Sequence, residues 1–170
     1  MRALSLADIR TYSHIIDSFY LFEDTELAKQ HIRSNPMGRD FGLAYLKFYG
    51  VMNACYLQQQ AAIVCCEALQ LEVDLSALVS ARVVQFRNDF AAHSPNRGRG
   101  TGLHSFILDK FGLAEGRVSG YSSNSPNGFV SRDAKIVNLV TDWDDVLEPT
   151  LAAISNAIAT RINKAGVYIT

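Results

Sequence analysis

Two side chains near the middle of the chain have the types and spacing for proton transfer at a phosphodiester. They are Arg87 and His93, within VVQFRNDFAAHSPNRGRG at residues 83–100. An imidazole exchanges protons near neutral pH, so His93 suits the 2′-hydroxyl of a ribose or a leaving 5′-oxygen. A guanidinium grips phosphoryl oxygens at two points and stabilises the charge that builds on them. Asn88 and Asp89 stand beside the Arg, where they can orient either group or the ribose. Arg97 and Arg99 follow in a Pro/Gly loop and offer phosphate contacts that position a strand without reading its sequence. His104, a little further on, is a candidate to fold back over the same cleft. The chemistry these residue types point to is metal-free cleavage of RNA.

The same residues have plainer roles open to them. His93 can bond free carbonyls at a helix carboxyl end, where the dipole favours it, and Arg87 can make an ordinary ion pair. Asn88 can bond to backbone, and Arg97 and Arg99 can be a solvated loop. Spacing adds one constraint. On an ideal helix, positions 87 and 93 are rotated by about 240° and separated by roughly 9 Å along the axis. One chain therefore does not easily bring both onto one phosphate, whereas two copies packed about a two-fold axis can interleave them in a shared cleft.

The elements that must hold these residues are mostly helical. Ser5 is a candidate N-cap with Asp8 at the capping-box position, and Ile9, Tyr12, Ile16, Phe19 and Tyr20 recur at helical steps through about Phe22. A short second helix is expected from Thr25 to Arg33, closed by Ser34-Asn35-Pro36. Phe41 to Leu69 lacks proline and is apolar almost all round, which predicts a central buried helix. With Asp74 or Ser76 as N-cap, a further helix from Leu78 through Val83, Phe86 and Phe90 would carry Arg87 and deliver His93 at its end, before Ser94-Pro95.

Residues 94–132 are rich in Gly, Ser, Asn and Pro around β-prone pieces and predict a small hairpin or irregular β insertion. A last helix is expected from near Thr141 to Lys164, with Asp142, Asp144 and Asp145 at its amino terminus, Trp143 as a helix-start anchor and Pro149 in or near the first turns. The whole predicts one domain over residues 1–170: a mainly α, antiparallel bundle of four or five helices with a small β insertion before the last.

Composition narrows the function classes. At 48% hydrophobic and 19% charged the chain lies in the globular range, which excludes a disordered or collagen-like protein. Net charge is −1, so the whole molecule has no long-range attraction for a polyanion. Between Arg82 and Arg132, however, seven basic side chains face three acidic ones, a local +4 that leaves −5 for the rest. Any nucleic-acid contact should be local. Cys55, Cys65 and Cys66 lie in one apolar run and read as reduced core thiols.

The amino terminus has no apolar core of a signal peptide, and no uncharged apolar run has the length of a bilayer span, so a cytoplasmic protein with no membrane association is expected. GxxxxGK[ST], GxGxxG after a strand and HExxH are all missing, and neither a metal nor a cofactor is expected. Asp142, Asp144, Asp145 and Glu148 offer oxygen ligands for a cation, but helix-dipole stabilisation accounts for them. His14 and His31 read as surface residues.

The run RNDFAAHSPNR at 87–97 resembles the Arg-polar-x(3–5)-His signature of HEPN (higher eukaryotes and prokaryotes nucleotide-binding) domains, and its place at the end of the penultimate long helix is similar. The resemblance covers about residues 41–95 and 139–165. It implies an all-α bundle, a homodimer, and a metal-independent endoribonuclease in toxin–antitoxin or antiviral defence, with Arg87, Asn88 and His93 as the catalytic set and RNA as substrate. An antitoxin or other defence-system protein is the implied partner. HEPN toxins paired with nucleotidyltransferases usually carry a Tyr two positions after the His; here Pro95 stands there, which removes the group such a partner would modify. Other members of the family have no catalysis, and the alternative for this chain is a binding or dimerisation module in which Arg87 and His93 are structural.

Overall fold

A computed structural model describes residues 9–91, 106–125 and 128–164. The protein is mainly helical, with a small three-stranded antiparallel sheet placed before the last helix. Its frame is three long helices: α1 (Ile9–Ser34), α2 (Phe41–Ala68) and α6 (Ile136–Lys164). Two short helices, α3 (Ser76–Val79) and α4 (Arg82–Phe86), lead into a π-helical turn at Arg87–Ala91. The sheet comprises β1 (Ile107–Leu108), β2 (Arg117–Ser125) and β3 (Gly128–Lys135), with α5 (Lys110–Ala114) between the first two strands. No helix among the described residues is long and apolar enough to cross a membrane.

Two helices expected over residues 5–33 are one. Thr25, where a second start was read, keeps its hydroxyl occupied by the helix itself, donating to the carbonyls of Leu21 and Phe22. Ser18 likewise donates to the His14 carbonyl at 2.7 Å, so both polar residues sit buried on the inner stripe without breaking it. The stop at Asn35-Pro36 is as expected, and Ser5 lies outside the described residues.

The central helix is where the sequence puts it. Asp40 caps it, accepting from the Leu43 amide at 3.1 Å, and its buried residues point to every side: Phe48, Met52, Cys55, Gln58, Ala62 and Cys65. The three cysteines are free and buried, as expected.

The single helix expected from Leu78 onward divides in two. Ala81 is extended, with φ −54° and ψ 142°, so α3 ends at Ser80 and α4 starts afresh. Asp74 does act at this start, accepting from the Ser76 amide at 2.8 Å. Gln59 of α2 reaches across the break and donates to the Leu78 carbonyl at 2.8 Å, which ties the kinked connection to the central helix.

The β insertion is present and more regular than expected. Ile107 pairs with Tyr121, and Gly120 with Arg132, in a β1-β2-β3 order. The helical turn α5 was not anticipated; Asp109 caps it by accepting from the amides of Phe111 and Gly112. Gly120 is required for packing. A Cβ there would stand 2.2 Å from the Ile107 carbonyl oxygen and 2.6 Å from the Phe90 ring.

The last helix begins at Ile136, directly after β3, and its first amide donates to the Gly116 carbonyl at 2.9 Å. Thr141, Asp142, Asp144 and Asp145 therefore lie beyond the first turn, and the dipole does not account for them. Trp143 is no helix-start anchor but a core residue, 1% exposed. Pro149 falls well inside the helix rather than in its first turns.

Candidate functional site

Arg87, Asn88 and Asp89 occupy one π turn whose position is set by the residues on either side. Val83, Val84 and Phe86 anchor α4 in the core, and Phe90 is buried, packed edge-on against Phe106 with ring centroids 5.3 Å apart. Within the π turn Asp89 and Phe90 are both buried. Arg87 and Asn88 are left half-buried at its edge.

Arg87 lies face-on over the ring of Tyr56 on α2, its guanidinium carbon 4.0 Å from the ring centre. It also donates to the side-chain oxygen of Asn88 at 3.1 Å. Among the described residues it makes no ion pair. A cation held by a ring face and a neutral amide keeps its full charge for an anion. Nothing in the sequence marked Tyr56 as this support, because α2 and the π turn meet only through tertiary packing.

Asp89 has a different setting from the substrate contact expected of it. It is 4% exposed and accepts from Arg132 of β3 at 3.0 Å. Arg132 in turn lies 5.8 Å from the centre of the Phe106 ring. Asp89 thus ties the π turn to the sheet. His93, Arg97, Arg99 and His104 lie outside the described residues. The angular offset expected between positions 87 and 93 assumed an unbroken α-helix, whereas residues 87–91 form a π turn.

A second polar cluster went unread in the sequence. Lys29 of α1, 2% exposed, donates to Gln58 at 3.1 Å, lies 2.5 Å from Asp144 and pairs with Glu26 at 2.7 Å. Arg33 pairs with the same two carboxylates. The Trp143 indole donates to Gln58 at 2.8 Å. Asp144 is thus explained by cations from α1 and not by a helix terminus. One signal was available: Lys29 falls in step with Ile15, Ser18, Thr25 and Ile32 on the inner stripe.

Burial pushes the Glu26 carboxyl up, but hydrogen bonds and charge from Lys29 and Arg33 outweigh it and hold the group below its ordinary 4.5. Desolvation pushes the Cys55 thiol up to about 12, and the Cys65 and Cys66 thiols rise for the same reason. No group of three or more His, Cys, Asp or Glu side chains among the described residues is arranged to hold a metal ion.

Comparison of the chain with protein-family models, curated proteins and solved structures finds no match.

Proposed function

We propose that the chain is a metal-independent endoribonuclease of HEPN type, acting as a homodimer with Arg87, Asn88 and His93 in a composite cleft. The observation that carries this reading is the state of Arg87. Its guanidinium rests on Tyr56, is steered by Asn88, and has no carboxylate partner among the described residues. The π turn beneath it adds support, since such turns occur frequently at functional sites.

In the proposed reaction the 2′-oxygen attacks phosphorus while its proton passes to an imidazole. The 5′-oxygen leaves with a proton, and a 2′,3′-cyclic phosphate remains. His93 supplies the proton relay, and Arg87 holds the phosphoryl oxygens as charge accumulates on them. Asn88 fixes the plane of the guanidinium. Arg97 and Arg99 hold the flanking phosphates, and His104 contacts the bound strand. Asp89 acts through position, since its bond to Arg132 sets the turn on which Arg87 rides. An antitoxin or other defence-system protein is the partner this reading implies.

Purified protein incubated with total RNA in EDTA tests the reading. Cleavage should persist, and Arg87→Ala and His93→Ala should each lower it by about 100-fold or more. Cleavage that survives both substitutions discards the enzyme. A second reading, a non-catalytic module, is supported by the packing of Arg87 on Tyr56 and its bond to Asn88, which a purely structural arginine would also make. On that reading, Arg87→Ala lowers stability and no RNA is cut by the wild type.

A further inference from the structure

We infer that the groove between α1 and α6 is a docking site for a basic amphipathic helix of a partner protein. Both helices lie against α2, yet they approach each other mainly where Lys29 and Arg33 meet Asp144. Beside that crossing an open cleft of about 820 Å³ remains. Phe19 and Phe22 of α1 form one apolar wall, and Leu147 and Leu151 of α6 the other. Phe19 is 45% exposed and meets Phe22 edge-on, so the two rings form one apolar surface that opens on the cleft.

The charge of the cleft selects its occupant. Glu23 and Glu26 line it from α1, and Asp144, Asp145 and Glu148 from α6, with Lys29 as the lining cation. Glu26 and Asp144 are paired with Lys29 and Arg33. Five carboxylates against these two cations leave the cleft at −3, although the chain as a whole carries only −1. A polyanion or an anionic lipid surface is repelled. A second copy of this chain, paired about a two-fold axis through the same face, would set these carboxylates against their own copies. A small polyamine satisfies the carboxylates but leaves the apolar walls uncovered.

A helix with apolar anchors on one face and Lys or Arg along both flanks satisfies walls and rim together. The lining residues span two to three helical turns on each side, roughly 12 Å, which is room for anchors at i, i+3 or i+4, and i+7. Long-range attraction between the acidic rim and a basic partner also speeds encounter. The docking surface stands whether or not the chain cleaves RNA.

Fluorescence anisotropy with a labelled synthetic helix of about 18 residues, Leu on one face and Lys on the flanks, tests it. A peptide with Glu in place of every Lys is the control. The wild type should bind the Lys peptide, more weakly as salt rises, and should ignore the Glu peptide. Phe19→Ala and the pair Glu23→Lys with Glu148→Lys all alter exposed side chains, so folding is retained. Each variant should weaken binding by about tenfold or more. Failure of the wild type to bind the Lys peptide, equal binding of the Glu peptide, or unchanged affinity in both variants overturns the inference.

Discussion

A buried lysine and a half-buried arginine are held here by opposite means. Lys29 is neutralised by two carboxylates and an amide, whereas among the described residues Arg87 is held by a ring face and an amide. Lys29→Met removes the cation and leaves the Glu26 and Asp144 carboxylates, each 36% exposed, with Arg33 as their remaining charge partner, and should cost about 1–3 kcal/mol of unfolding free energy. Gln58→Leu strands the buried Trp143 indole and removes one bond from Lys29, and should also cost about 1–3 kcal/mol. Urea unfolding of the two variants measures both losses.

Glu26 adds a pH dependence. Its carboxyl is held below 4.5, so its contribution is fully present above that value and is lost as pH falls through the lowered one. The stability gap between wild type and Glu26→Gln should be widest near neutrality and close in acid, read as melting temperature against pH. Cys55, with its thiol pushed up to about 12, should resist alkylation at mildly alkaline pH until the protein is unfolded. A thiol titration with and without denaturant checks this.

At the level of elements, the junction of helix and sheet is decided by two residues of unlike size. Phe90 fills the space that Gly120 leaves open, and the Ile107 carbonyl closes over the same point. Gly120→Ala places a methyl against backbone that has no room to retreat, and should destabilise by about 1–3 kcal/mol. Because the π turn leans on this contact, the change should also disturb Arg87 in its seat on Tyr56. On the ribonuclease reading, a loss of RNA cleavage larger than the loss of folded protein, compared by circular dichroism and activity on one sample, would register it. Helix boundaries were the least legible feature at this scale. Thr25 looks like a helix start by type, yet its hydroxyl bonds back to Leu21 and Phe22 and the helix runs on. Ala81 gives no sign of a break, yet it is extended, and α4 starts afresh from it to pack on both α2 and α6, whereas α3 packs on α6.

Across the whole chain, charge is unevenly distributed: basic residues gather along the sequence between Arg82 and Arg132, and acidic ones line the α1–α6 groove. The ribonuclease reading requires that the chain associate, so light scattering should give twice the chain mass, with the acidic groove of each copy still open to the basic peptide. The sequence alone determined the helical class, the central helix from Phe41, the buried thiols, and a β insertion ahead of the last helix. These follow from periodicity, proline placement and composition, which act over a few neighbouring residues. Tertiary structure alone decided that Arg87 rests on Tyr56, that Asp89 turns inward to Arg132, and that Asp144 answers Lys29 and Arg33. Each of those pairs joins residues far apart along the chain, and local pattern carries no record of which faces will meet once the helices pack.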